Sequence, residues 1–180
     1  GPMTNEQAKL IVGLIQRNGL IVEGVRGRHV IPITARTDHA GLPPADFAIV
    51  FTDANATADA ARTAAQVLKP EGFALTLQNG IGNEEIIAEF VPRVMLGTTF
   101  PAGHITAPGV VNQDTGGQTK ISPFPPKPAT MEETRLLADT LNRGGADVVA
   151  MEDARGALWT KVIFNSASNA MGALTRLPHG

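Results

Sequence analysis

The stretch LWTKVIFNSASN, Leu158 to Asn169, sets Lys161, Asn165 and Asn169 at successive steps of four. In a helix that spacing stacks side chains on one face, and Ser168 and Gly172 fall in the same narrow sector. Ile163, Phe164, Ala167, Ala170 and Met171 occupy the rest of the wheel, an apolar sector too wide for a surface helix, so the helix is expected to be largely buried. An unpaired buried ammonium costs several kcal/mol, so the polar row faces either a partner network or a water-accessible cleft. In a cleft, its chemistry is charge stabilisation and hydrogen bonding to a ligand. The plainer reading stays open: Lys161 reaches the surface and the asparagines bond neighbouring backbone.

A second group is LQNGIGNEE, Leu77 to Glu85, which places Asn79 and Gly80 between a strand and a helix. In doubly wound sheets, ligands bind at the carboxyl ends of strands. Gly80 and Gly82 permit a tight turn and close approach of a ligand, and the free amides of the next helix attract anions. As plain structure, Asn83 is the N-cap, and Glu84 and Glu85 complement the helix dipole. That accounts for Asn83 and the glutamates better than for Asn79.

Other polar residues offer less. His29, His39, His104 and His179 are scattered without metal-ligand spacing. Ser166 and Ser168 lack a nucleophile-elbow context, and Glu152 and Asp153 suit a helix start. There is no cysteine, which excludes a disulfide framework, a thiolate metal site and a cysteine nucleophile. Charged residues are only 18% of the chain and the net charge is -2, so no basic field gathers nucleic acid or anionic lipid; the expected partner is a small molecule or a protein. No apolar run approaches the ~18 residues of a membrane span and no signal-peptide pattern opens the chain. Gly1 and Pro2 before Met3 resemble a tag-cleavage scar. The expectation is a soluble, cytoplasmic protein without a membrane role.

The elements that must carry these residues follow from periodicity and punctuation. Helices are expected over Thr4 to Arg17, Ala56 to Leu68, Asn83 to Phe90, Thr130 to Leu141 (with Thr130 and Glu133 in capping-box spacing) and Glu152 to Leu174. Strands are expected over Gly19 to Glu23 and His29 to Thr34 as a hairpin, then Phe47 to Thr52, Phe73 to Leu77, Val94 to Thr99 and Ala146 to Ala150. Short apolar runs alternating with helices indicate α/β class, a parallel sheet covered on both faces. His104 to Asp114 and Gln118 to Ile121, broken by Pro108-Gly109 and Gly116-Gly117, suggest a small antiparallel piece, and SPFPPKP, Ser122 to Pro128, an extended connection. At 180 residues the prior is one domain, or one and part of another.

Taken together, QNGIGNEE after a strand, the PG and GG marks, LWTKVIFNSASNAMGALT, AKLIVGLIQRNGLIVEG and ADFAIVFTDANATADA resemble the ketopantoate reductases, 2-dehydropantoate 2-reductases, from about Asn5 to Leu177. The resemblance implies an incomplete Rossmann-like doubly wound sheet with a β-hairpin excursion over residues 4–150, and from 151 to 180 the first long helix of a truncated helical domain. It implies NADPH-dependent reduction of a small 2-keto acid, ketopantoate, to pantoate, a step toward pantothenate. Lys161 would be the acid at the carbonyl oxygen, where an ammonium stabilises the nascent alkoxide and supplies its proton. Asn165, Asn169 and Ser168 would bind substrate, and Asn79 and Gly80 would lie at the cofactor.

Three departures accompany the resemblance. The family's opening Gly-x-Gly-x-x-Gly turn, which holds pyrophosphate, occurs nowhere in this chain. Asp53, in Thr52-Asp53-Ala54-Asn55, stands where the family carries a lysine, so a carboxylate replaces a cation near phosphate. The family's second domain, with a substrate-gripping serine and glutamate, is missing after Gly180. Poor or absent reductase activity is therefore expected of the chain alone. Asp53 and the missing turn also suggest an alternative, a reductase-derived protein repurposed for ligand binding or non-redox chemistry without nicotinamide. A homodimer that completes the cleft by exchanging the long helix is a further expectation.

Overall fold

A computed structural model describes residues 4–176; Gly1, Pro2, Leu177, His179 and Gly180 lie outside them. In chain order the elements are α1 (Asn5–Asn18), β1 (Leu20–Gly24), β2 (His29–Ile31), β3 (Ala45–Val50), α2 (Thr57–Val67), β4 (Leu68–Thr76), α3 (Asn83–Phe90) and β5 (Val94–Thr99). There follow β6 (Ala102–Ala107), β7 (Val110–Thr115), β8 (Thr119–Pro123), α4 (Met131–Arg143), β9 (Val148–Ala150) and α5 (Arg155–Thr175). The chain divides into two compact units, one of residues up to 42 with 100–117, the other of 43–99 with the residues from 118 on. The fold is α/β, as expected.

The first unit holds α1 and a four-stranded sheet in the order β2-β1-β7-β6. Thr4 and Gln7 cap α1 reciprocally, and β1 and β2 form the expected hairpin with Leu20 opposite Ile31. β6 and β7 make a second hairpin at Pro108-Gly109, and β7 then pairs parallel with β1. The expected small antiparallel piece is therefore half of a larger sheet, and β8 is no part of it.

The second unit is a five-stranded sheet in the order β3-β4-β5-β8-β9. Strand pairs β3/β4, β4/β5 and β8/β9 are parallel, and β8 runs antiparallel to β5. Alternation along each strand divides the core between its two faces. Ala74, Val94 and Leu96 pack with Ala61 and Ala64 of α2, Ile87 and Ala88 of α3, and Ala154 and Leu158. Phe73, Leu75, Leu77 and Met95 pack on the other face with Leu137 and Ala138 of α4. Helices on both faces make the sheet doubly wound. At Gly97 a Cβ would meet Lys120 O at 2.6 Å, Leu77 Cδ2 at 2.7 Å and Ile121 Cγ2 at 2.8 Å, so a side chain there would prise three strands apart.

Several boundaries differ from the sequence expectation. α2 runs directly into β4, which begins at Leu68 because Lys69-Pro70-Glu71-Gly72 is extended and not a turn; Ala45 pairs with Leu68 across a register shift. β8 extends to Pro123 inside the proline-rich connection, where Pro123 lies opposite Met95 of β5 and past Ile121, the last residue that β8 pairs with β9. Gly82, not Asn83, is the N-cap of α3, since Asn83 turns inward and is buried. α5 begins at Arg155, and the Asp153 carboxylate accepts the Arg155 amide at 2.9 Å.

The largest difference concerns α5. Leu158 is its one buried residue, so the largely buried helix read from its apolar sector is not what forms. The polar row faces inward instead: Lys161, Asn165 and Ser168 are half-buried, while Trp159, Ile163, Phe164, Met171 and Leu174 are exposed. Periodicity defines two faces of a helix but not which of them meets the rest of the fold.

Candidate functional site

The arrangement around Lys161 begins with the anchoring of α5. Ala154 and Leu158 are fixed in the core, and Lys161, one turn beyond Leu158, is held on the same side. Its Nζ donates to the carbonyl oxygen of Thr99, the last residue of β5, at 2.6 Å. Burial pulls the ammonium below its usual 10.5, because low-polarity surroundings disfavour the charged form. The Thr99 hydroxyl lies 2.8 Å from that of Thr119, so the strand end that receives the lysine is itself tied to β8.

The loop of Asn79 to Gly82 lies at the end of the adjacent strand. Thr76, the last residue of β4, pairs with Leu96, so the loop leaves β4 at the same end of the sheet at which β5 runs on to Thr99. The contact a Cβ at Gly97 would make with Leu77 places those two residues side by side on the way. Gly80 and Gly82 have φ of 100° and 92°, the left-handed conformation that residues with a Cβ resist. Space beside Gly82 is open, since a Cβ there would meet nothing within 4 Å.

A buried polar network fixes this loop. Gln78 Nε2 donates to Thr52 O at 2.7 Å and to Thr57 Oγ1 at 2.9 Å, and Thr57 Oγ1 donates to Asn83 Oδ1 at 3.0 Å. Asn83 Nδ2 in turn donates to Asn79 O at 3.3 Å. Gln78, Thr57 and Asn83 are each under a tenth exposed, so these bonds form away from water, where leaving one unmade is costly. Asn79 itself is exposed, three residues past the end of β4.

The remaining residues of the row are placed unequally. Asn165 is half-buried beside Lys161; Asn169 is exposed; the Ser168 hydroxyl donates back to Phe164 O at 2.8 Å, which leaves its oxygen as an acceptor. Sequence reasoning passed over Thr98, Thr99 and Gln78. Thr98 is 2% exposed and its hydroxyl has no hydrogen-bond partner among the described residues, an orphan donor on the sheet face that carries α5. The signal for it was the pair of threonines closing an otherwise apolar strand.

The residues present fit one end of a nicotinamide cofactor. Asn79, the open glycine loop and the orphaned Thr98 hydroxyl offer polar groups at the carboxyl edge of a parallel sheet, where such ligands bind. They do not fit the diphosphate end: no Gly-x-Gly-x-x-Gly turn occurs in the chain, and Asp53 is exposed just after β3. Among the described residues, no group of three or more metal-ligating side chains occurs and no helix is long and apolar enough to cross a membrane.

The chain is similar in sequence and in fold to known proteins. The family model described as ketopantoate reductase PanE/ApbA matches residues 8–126. A 2-dehydropantoate 2-reductase of Pyrococcus horikoshii is 35% identical over 166 residues, covering 92% of this chain and 54% of the relative. One from Halobacterium salinarum is 34% identical over 146 residues, covering 80% and 47%. The crystal structure of 2-dehydropantoate 2-reductase from Geobacter metallireducens superposes with a TM-score of 0.80 at 27% identity, covering 91% of this chain and 55% of that one. The chain spans about half the length of the curated relatives it matches. The family match over residues 8–126 and the identity to these reductases together place the chain in the ketopantoate reductase family, to which it belongs.

Proposed function

We propose that this chain forms the nicotinamide- and substrate-facing part of an NADPH-dependent 2-dehydropantoate 2-reductase, which reduces ketopantoate to pantoate in pantothenate biosynthesis. The observation that carries the reading is the Lys161 ammonium, held on the Thr99 carbonyl at the edge of the sheet with its pKa lowered by burial. When bound, the cofactor supplies a hydride to the keto carbon. Lys161 stabilises the negative charge that develops on the keto oxygen and passes it a proton from Nζ, then recovers one from water. The Thr99 carbonyl keeps Nζ aimed at that oxygen. Asn165, Asn169 and Ser168 orient the substrate's hydroxyl and carboxylate, and Asn79 and Gly80 border the nicotinamide. Residues from 151 on begin a helical second domain in this reading, and the enzyme works in the cytoplasm.

The test is NADPH oxidation with ketopantoate at high protein concentration. The expected result is slow turnover that falls by about 100-fold or more in Lys161→Ala, the usual contribution of a positioned acid. Turnover unchanged by that substitution would sink the assignment. Robust turnover of the wild-type chain would instead show that the glycine-rich turn and the second domain are dispensable.

A further inference from the structure

Asparagine is followed by glycine twice in the chain, at Asn18-Gly19 and Asn79-Gly80, and the fold treats the two pairs differently. This pairing is open to self-modification, because glycine has no Cβ to shield its backbone nitrogen from the asparagine side chain. Both asparagines are exposed and both glycines have positive φ, 75° and 100°, so neither exposure nor glycine conformation separates the pairs. The hydrogen bonds do. The Gly19 amide closes α1 by donating to Ile15 O at 2.8 Å. The Gly80 amide and the Asn79 side chain have no hydrogen bond among the described residues, and Asn79 is held only through its carbonyl.

We propose that Asn79 is a self-modification site, at which the folded chain turns asparagine into aspartyl and isoaspartyl residues while Asn18 is spared. Hydroxide removes the Gly80 amide proton, and the nitrogen anion attacks Asn79 Cγ. A carbon–nitrogen bond forms there and the side-chain nitrogen leaves as ammonia, which closes a cyclic imide. Water then opens the ring. Attack at Cγ leaves an aspartyl side chain, and attack at the backbone carbonyl leaves an isoaspartyl link that carries the chain through Cγ. Water is consumed, ammonia is released, and nothing is oxidised or reduced. At Asn18 the same attack must first free the amide proton from Ile15 O and open the last turn of α1. One such hydrogen bond, at its usual net strength, slows the reaction about fivefold.

The consequence falls on the glycine loop. Asn83 Nδ2 donates to the Asn79 carbonyl at 3.3 Å. An isoaspartyl link lengthens the backbone by a carbon at that point and replaces the carbonyl with a free carboxylate, while an aspartyl residue puts the carboxylate in place of the side-chain amide. On the reading that Asn79 borders the nicotinamide, either product sets a negative charge at the site without unfolding the sheet. The modification itself does not depend on that reading.

The experiment is peptide-mapping mass spectrometry on the chain aged in mildly alkaline buffer, with and without urea. Each conversion is read as a gain of about 1 Da, and isoaspartate is identified by enzymatic methylation. In the folded chain Asn79 should convert at least about fivefold faster than Asn18. In urea the two pairs should convert at similar rates, because only the fold distinguishes them. Asn79→Gln should remove the fast product. Equal rates in the folded chain, faster conversion at Asn18, or a difference that survives in urea would each overturn the proposal, as would a fast product that persists in Asn79→Gln. The readout is a mass and not an activity, so a chain that proves inactive as a reductase leaves the outcome just as decisive.

Discussion

Lys161 Nζ donates to Thr99 O at 2.6 Å, joining the second turn of α5 to the carboxyl end of β5. That bond gives the ammonium a fixed direction, and burial weakens its hold on the proton. A lysine whose folded pKa lies below 10.5 loses its charge earlier than a free one as pH rises. Activity that needs the protonated form must therefore fall on an alkaline limb centred below 10.5, and Lys161→Arg must push that limb upward. The stability sign is the reverse. Between the folded value and 10.5 the unfolded chain binds more protons, so Lys161 contributes stability that increases with pH across that window, and thermal midpoints of Lys161→Met should lack the increase.

Gln78 is the hub of the network beneath the Asn79 loop. Replacing it with leucine leaves Thr52 O and the Thr57 hydroxyl oxygen without their buried donor. Urea unfolding should show a loss of about 2 kcal/mol, the usual penalty for stranding buried polar groups. A loss no greater than a few tenths would mean that water substitutes for the amide.

Glu84 lies in the first turn of α3, 6% exposed, against a cleft lined by Ile81, Leu158 and Trp159. Burial raises its pKa above 4.5, with the neighbouring Glu85 charge adding to the rise and backbone amides opposing it. The folded chain thus holds a proton that the unfolded chain releases, and stability falls as pH rises from 4.5 through the folded value. Glu84→Gln removes this dependence. Its thermal midpoint should exceed that of the wild type at neutral pH and converge with it below about pH 4.5.

Gly97→Ala tests the close approach of strands. The added methyl meets Lys120 O and two side-chain carbons at under 3 Å, so β5 must shift from β4 or β8. Overpacking of this kind costs about 1–3 kcal/mol. A melting temperature equal to the wild type would show that the sheet yields without strain.

Local signals made much of this readable in advance. Asn83 to Phe90 and Val94 to Thr99 form with the bounds expected of them, because Gly80 and Gly82 precede the helix and Pro92 and Pro101 follow the two elements closely. The Thr130 cap holds for the same reason. Long-range pairing was not readable: nothing near Val110 announces that β7 lies parallel to β1, nor does anything near Thr119 announce that β8 crosses to β5. At the site, the spacing of Lys161 and Asn165 gave the row, but the inward turn of a polar face runs against hydrophobic patterning, which would have buried Ile163 and Phe164. Gln78 escaped because it stands beside the more conspicuous Asn79-Gly80, and Thr98 because threonines closing a strand also suit plain β structure.

The hydroxyl contact of Thr99 with Thr119 has a consequence for how this polypeptide can be cut and rejoined. Thr99 and Thr119 are paired residues on antiparallel neighbours, so the ends of the 100–117 excursion return to facing positions on one ladder. A two-residue Asn-Gly turn spans such a gap. Splicing that turn between Thr99 and Thr119, and starting the chain at Pro43, would yield a minimal sheet that retains Lys161, Asn79 and the Gln78 network on an uninterrupted scaffold.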